Sequence, residues 1–595
     1  MSISFSIFSK QNCQWFAISL VLILSPAAHA ITATVGSSGC NFTQLQAALD
    51  FLAGQPGPHL IKLRTQTLAI PDGVTINADN ATYQLVGGYA TCASASPSAG
   101  QRTIIDASGG NNGTAIGINA NGTSVGYYVT FSGVTVRGGS SETDPLANPE
   151  GGGLEIRGRV SVILDDATRI ESNASGKGAG VYIKGKNSNE RATLQILGDS
   201  RIVDNVASTL GGGVYCDNDA SIFHDDGQIS FNTADNGGGA YLASSCAFDS
   251  IVADGSFSGF VGNDASYCAG LCMNGTRGVS IAGASNSPFW FIGNQSSGDV
   301  GGLLVRHSTS GRVAATLLNT VFLNNIANGR FGAAMEFDGA VDADLRPLPN
   351  GANCAFAGIG YGACSAVVGN SSGTVPTGGI VQLLDLGSAS PTLTVRNTSF
   401  VDNDGLRVLG VAGSGSIDVE GSILIGNRVA YGSTSFPAAL VGIDNQGSPP
   451  ASSRLAWSTV TSNTAGSANA AIIWNDMSAM NLKGSILYNP GMVGRNGTSS
   501  GVISHDGCLL VDAAASWPTS PIPPRVGNPN LTTNLTPPLS SPAIDICGSA
   551  SIPAKDFYGR PRSVEQTTVT NVYGPVDLGA IELPFDDTIF ADGFE

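Results

Sequence analysis

Residues Gly178 to Asn205 read GAGVYIKGKNSNERATLQILGDSRIVDN, and this stretch decides the fold. It holds three short apolar runs, Gly180-Val-Tyr-Ile183, Ala192-Thr-Leu-Gln-Ile-Leu197 and Arg201-Ile-Val203, separated by polar turn residues. Each run is strand-sized and rich in β-branched residues, and no ten-residue helical pattern lies between them. The unit opens on a glycine mark and closes on an asparagine, and both recur along the chain.

The glycine mark stands at Gly151-Gly-Gly-Leu154, Gly178-Ala-Gly-Val181, Gly211-Gly-Gly-Val214 and Gly237-Gly-Gly-Ala240. It continues in degraded form at Cys268-Ala-Gly-Leu271, Val300-Gly-Gly-Leu303, Phe331-Gly-Ala-Ala334 and Thr377-Gly-Gly-Ile380. The asparagine mark ends at Asn173, Asn205, Asn232, Asn263, Asn294, Asn325, Asn370, Asn403, Asn427, Asn463 and Asn489. Two marks keeping one period of about thirty residues identify a solenoid. Three strands per coil exclude helical repeats and a four-stranded propeller blade. The fold expected is all-β: a single-stranded right-handed parallel β-helix, three strands per coil, with an N-terminal capping helix and a C-terminal cap. About eleven coils are marked and two or three more precede Gly151, a rod on the order of 65 Å at about 4.8 Å per coil.

Stacked coils give each mark a physical reason. A buried asparagine can bond to its copy in the next coil, and glycine permits positive φ or close backbone approach. After each mark the first and third residues (Val181 and Ile183, Val214 and Cys216, Ala240 and Leu242, Leu303 and Val305) are expected to face inward, the second outward.

The ends divide the chain further. Residues 1–30 read as a signal peptide, with the apolar run Phe16–Leu24 and the A-x-A pattern Ala28-His29-Ala30. Residues 31–58 form an N-terminal cap, 59–510 the β-helix, 511–583 a C-terminal cap and 584–595 a sorting-type tail. In the first cap, Asn41 to Leu52 reads as an amphipathic helix with Leu45, Ala48, Leu49 and Leu52 as its apolar stripe. Thr43 and Gln46 there suggest a capping box. After Asn489 no run of alternating ten-residue strands leaves room for a membrane barrel, and no transmembrane segment is expected in the mature chain.

Composition narrows the function. Glycine is 79 of 595 residues, charged residues only 12%, and 42% are hydrophobic, which suits short strands and tight turns. A net charge of −17 excludes nucleic acid as a partner, since phosphate contacts need clustered Lys and Arg. Ten cysteines remain once Cys13 leaves with the leader, an even set suited to an oxidising compartment. Cys40 with Cys92, Cys354 with Cys364 and Cys508 with Cys547 are expected to pair. Cys216, Cys246, Cys268 and Cys272 leave three connectivities open.

Two constellations carry chemistry. Asp165-Asp166 and Asp225-Asp226 are paired carboxylates of the kind a glycosidase needs as acid and base. Yet Asp166, Asp199 and Asp226 fall six or seven residues before Asn173, Asn205 and Asn232, which makes them turn formers on one ladder. Stacked acids would take Ca2+ only weakly, and no other cofactor is expected. Tyr182, Tyr215 and Tyr241 occupy the second position after three successive marks, a column of rings suited to stacking on a sugar or a protein surface.

Three stretches near the end resemble a known family. Ser541-Pro-Ala-Ile-Asp545, Asp556-Phe-Tyr-Gly-Arg-Pro-Arg562 and Asp577-Leu-Gly-Ala-Ile-Glu582 are similar to the signature of choice-of-anchor Q domain proteins. The paired marks resemble repeats of polymorphic outer membrane proteins, and the helix with Leu60-Ile-Lys-Leu63 resembles the opening of pectate-lyase-like β-helices. The resemblance implies a secreted β-helix, extracellular or at the outer cell surface. The function expected is adhesion or binding of an extracellular polysaccharide or surface protein by a monomer, without catalysis. The alternatives are a polysaccharide lyase or glycosidase, and a passive surface structural protein.

Overall fold

A computed structural model describes residues 30–584 except 111–112, 123–125, 142–149, 285, 310, 330, 349–363, 373–377, 386–389, 431–436, 445–451, 498–500, 519–521, 549–551, 563–565, 567–568 and 573. The expected leader, apart from Ala30, the expected tail beyond Pro584, and Cys354 lie outside these.

Consecutive strands alternate among three sheets, so each coil contributes one strand to each. The first sheet stacks 16 strands from Ile31–Val35 to Val502–His505, the second 16 from Thr67–Ala69 to Arg525–Val526, and the third 14 from Val74–Asn77 to Val493–Gly497. Every pairing in them is parallel: Val181 lies beside Leu154 on one side and Val214 on the other. The chain is a parallel β-helix. The residues expected to face inward are buried in one continuous core along the stack.

The asparagines form the spine of the turn between the second and third sheets. All eleven are buried. In each after Asn173, whose own Oδ1 takes Gly139 N, Oδ1 accepts from both the backbone N–H and the Nδ2 of the preceding ladder asparagine. Asn205 Oδ1 takes Asn173 N at 3.1 Å and Nδ2 at 2.9 Å, and the pattern runs unbroken to Asn489 Oδ1 with Asn463 at 2.8 and 3.0 Å. The third glycine of the first four marks faces this spine. A Cβ on Gly180 would stand 2.9 Å from Asn205 Nδ2 and 2.5 Å from the Gly213 carbonyl, so only glycine fits there without movement.

Three features differ from the sequence reading. A fourth, short strand follows the ladder asparagine in many coils, giving a six-stranded ledge from Ala174–Lys177 to Ile326–Ala327 and a three-stranded one at Asp404–Gly405, Arg428–Val429 and Thr464–Ala465. The later glycine marks sit one residue further on than read, because Met335 pairs with Leu303 and Val381 with Met335; Ala334 and Ile380 therefore hold the third-glycine place. The helix Leu45–Ala53 buries its predicted stripe but has no side-chain cap. Gln46 instead satisfies the edge of the third sheet, accepting from Thr75 N at 2.8 Å. An edge strand left bare would invite pairing with another chain, and that need outweighs a cap on a nine-residue helix.

At the other end, Trp517 closes the main core. The signature segment beyond it folds back along the flank of the second sheet. Leu535, Phe557, Ala580 and Ile581 pack on Ile423 and Ile425, and Gly579 N donates to the Gly484 carbonyl at 2.7 Å. The three parts of the signature meet there. Asp577 accepts from the amides of Asp545 at 3.0 Å and Leu583 at 2.8 Å, and burial pushes its carboxyl up to about 6. Asp556 accepts from Arg560 Nη2 at 2.7 Å and from Glu582 N at 3.2 Å. Arg562 donates to the Gly579 and Ala580 carbonyls at 2.8 Å, with its guanidinium 5.4 Å from the Trp457 ring centre.

Four disulfides join described cysteines: Cys40–Cys92, Cys216–Cys246, Cys268–Cys272 and Cys508–Cys547. They resolve the central four and fit an oxidising, extracellular setting. Cys364 is also disulfide-bonded. Among the described residues no helix is long and apolar enough to cross a membrane.

Candidate functional site

The paired aspartates belong to turns. Asp166 and Asp199 hold left-handed backbone (φ 50° and 57°), which short polar side chains tolerate best. Asp165 Oδ1 accepts from Asp166 N at 2.8 Å, and Asp225 Oδ1 from Ile251 N at 2.9 Å. Burial raises the Asp226 carboxyl, and the charges of Asp199 and Asp165 beside it add to that, so these acids stack from coil to coil. Burial, with Asp226 next to it, raises Asp225 as well. Among the described residues no three His, Cys, Asp or Glu are grouped to hold a metal ion.

The tyrosines do form a column on the outer face of the third sheet. Tyr182 and Tyr215 stack at 5.6 Å between ring centres and Tyr215 and Tyr241 at 5.9 Å, the planes 21° and 13° apart. Facing outward does not expose them: Tyr182 is 0% and Tyr215 7% accessible. Tyr182 donates to Asp217 Oδ2 at 3.0 Å, the Arg157 guanidinium lies 4.9 Å from its ring centre, and Lys177 Nζ lies 5.6 Å from that of Tyr215. Lys177 ends a ledge strand. The ledge that the sequence did not reveal thus covers the column, and a ligand cannot stack on Tyr182 or Tyr215 from solvent. Only Tyr241, at the end, stays partly open.

A pocket of about 270 Å3 begins there. Asn236, Tyr241, Tyr267, Cys272, Asn274, Leu304 and Arg306 line it. Register explains its position. The outward column continues from Tyr241 to Cys272, Leu304 and Glu336 in successive coils. Where a fourth ring would stand, the chain has Cys272, bonded to Cys268. Among the described residues no ring stacks on the far side of Tyr241. Asn236 and Tyr267 come from beside the ledge and form the opposite wall.

The second outward column supplies the charge. Asn274, Arg306 and Asp338 are neighbours in register. Arg306 donates through Nε to Asp338 Oδ2 at 2.7 Å and through Nη2 to the Tyr267 hydroxyl at 2.6 Å. Its Nη1 makes no hydrogen bond among the described residues. Asn274 Nδ2 donates to the Tyr241 hydroxyl at 3.2 Å. Behind Arg306, Glu336 and Asp338 are fully buried. With both ionised, neither Glu336 oxygen nor Asp338 Oδ1 has a hydrogen-bond partner; a single shared proton gives them each other. Burial and the Asp338 charge hold Glu336 well above the usual carboxylate range, so Glu336 keeps that proton and Asp338 is the counter-ion of Arg306. Burial pushes the Tyr267 hydroxyl up to about 12, so it is a neutral hydrogen-bonding group at physiological pH.

No family model matches the chain, and no curated protein matches it.

The sequence reading singled out Tyr241 in this site and missed Asn236, Tyr267, Asn274, Leu304 and Arg306. Aligning the outward residues coil by coil is the signal that finds them: Tyr, Tyr, Tyr, then Cys and Leu marks the place where the column shrinks.

Proposed function

We propose that this chain is a secreted or surface-associated binding protein, and that its ligand seats in the pocket at the open end of the tyrosine column. The observation that carries this reading is the ring-sized gap itself, an apolar floor bordered by two tyrosine rings, two amides and one guanidinium. A pocket of this volume lies just below the range for drug-sized ligands and suits one ring or one side chain of a larger partner.

Binding without turnover is favoured by the placement of the acids. Glycoside hydrolysis needs two carboxyls flanking the bond, about 5 to 9.5 Å apart. Glu336 and Asp338 instead lie side by side under Arg306, out of reach of a bond held in the pocket, and the paired aspartates are committed to turns. The disulfides agree with export, and so does the resemblance to choice-of-anchor Q proteins, whose signature residues here close into one buried clamp.

The test is to incubate the full chain with acidic and neutral polysaccharides and with candidate surface proteins, reading retention and product together. Retention without cleavage, lost on Asn274→Trp at the exposed rim, is expected. Release of unsaturated or reducing-end products would move the protein to the lyase or glycosidase class. Absence of any retention would leave a passive structural role.

A further inference from the structure

We infer that the pocket is the vacant fourth rung of the tyrosine column, built for a planar aromatic ring carrying a carboxylate. The inference rests on the binding role proposed above and names the ligand's chemical class.

The ring follows from the stack. Three tyrosines in successive coils keep centre-to-centre steps of 5.6 and 5.9 Å with nearly parallel planes, and Cys272 replaces the fourth. Its sulfur is held by Cys268, so no ring of the third sheet fills the gap. A ring entering here meets the free face of Tyr241 at the spacing the column already uses.

A sugar ring fits less well. Its hydroxyls point in all directions and each needs a partner when buried. The floor offers only Cys272 and Leu304, 1% and 3% accessible. The hydroxyls of Tyr241 and Tyr267 already accept from Asn274 and Arg306, which leaves each only its own O–H to donate. An aromatic ring leaves no buried polar group unpaired against that floor.

The carboxylate follows from Arg306, the one charged group lining the pocket. Asp338 occupies its Nε–Nη2 edge and Tyr267 takes a second Nη2 proton. Nη1 remains; its two N–H groups point apart, so one of them gives a carboxylate oxygen a single charge-assisted hydrogen bond. The proton on Glu336 matters here, because a second buried negative charge beside Asp338 would repel the ligand. The titratable groups around Glu336 are Asp338 on its own strand, Arg306 on the preceding coil, and Asp299 and the neutral Tyr267 from beside the ledge.

Two sources present this chemistry, a free aromatic acid and the C-terminal residue of a polypeptide ending in Phe or Tyr. The full chain is titrated, by calorimetry and by saturation-transfer NMR, with 4-hydroxyphenylacetate and with N-acetyl-Gly-Phe. Methyl 4-hydroxyphenylacetate and glucose serve as controls. Either acid should bind at least tenfold tighter than the ester and glucose; a stronger signal from the peptide assigns the source to a protein terminus, and the reverse assigns it to a free acid. Tyr241→Ala and, independently of any effect on the column, Asn274→Trp should each lower affinity at least tenfold with the far-UV spectrum unchanged. Equal binding of ester and acid overturns the carboxylate assignment. Retention of a polysaccharide through this pocket, with neither acid bound, overturns the aromatic assignment while leaving the binding role intact. If neither acid, nor any polysaccharide or protein of the panel, is held, both readings fall together.

Discussion

Replacing Asn263 with alanine removes one rung from the middle of the asparagine spine. Asn263 Oδ1 accepts from Asn232 N and Nδ2, both at 3.1 Å, while its Nδ2 donates to the Ile229 carbonyl and to Asn294 Oδ1, both at 2.9 Å. After the change Asn232 Nδ2 still has the Ile202 carbonyl, and Asn294 Oδ1 still has the Asn263 amide. The Asn232 amide loses its partner inside a turn that no water reaches, while the Ile229 carbonyl keeps its ladder bond to the next coil. A buried orphan costs about 1–3 kcal/mol, so the local loss is about 2 kcal/mol. A long solenoid opens in parts rather than all at once, which makes site-resolved hydrogen exchange the right assay. Exchange in peptides spanning 229–233 and 260–264 should speed up roughly thirtyfold, tenfold for each 1.4 kcal/mol. The exposed Asn274→Ala should change it by less than threefold, within about 0.5 kcal/mol. Acceleration below tenfold, or equal in the two variants, would refute the view that the spine holds the coils in register.

Three further outcomes are expected. Phe231 sits just before a ladder asparagine with φ 54° and is 57% exposed; Phe231→Asn should stabilise its coil by about 1 kcal/mol, read as slower exchange, because asparagine adopts the left-handed region at less cost. Glu336 is raised by burial above its ordinary 4.5, so the folded state holds a proton the unfolded chain releases. Stability is therefore full below about pH 4.5 and declines as pH rises toward the folded value; thermal melts should show Glu336→Gln flattening that decline. His224 is buried among Phe248, Phe260 and Phe289, and burial pushes its imidazole from 6.5 down to about 3. Its contribution is present above pH 6.5 and lost as pH falls from there toward 3, at a cost on the order of 5 kcal/mol; His224→Leu should make the melts less acid-sensitive over that window.

The solenoid was legible because its marks are chemical necessities repeated at one spacing: an asparagine that must bond to its copy, and a glycine that must clear it. The ledge was not, because strands as short as Asp264–Ala265 carry no alternation to read. Its omission had a consequence for the site. Outward position alone put Tyr182, Tyr215 and Tyr241 on the surface, whereas Lys177 and its neighbours cover the first two. The slip at Gly332 and Gly378 has a similar origin, since Ala334 and Ile380 hide the third glycine that fixed the register earlier. Gln46 pairs with Thr75 rather than closing a capping box, a choice set by a strand edge nearly thirty residues away and invisible to local pattern. The pocket is the least legible part, drawing its walls from three coils whose alignment only the register reveals.

The central claim is that the gap beyond Tyr241 receives a ring. A crystal structure of the full chain with 4-hydroxyphenylacetate tests it most directly. The account predicts the ring parallel to Tyr241 at about 5–6 Å between centres, over Cys272 and Leu304, with its carboxylate on Arg306 Nη1. A gap closed by Tyr267 swinging onto Tyr241, or a ligand bound elsewhere with the gap left open, would contradict it.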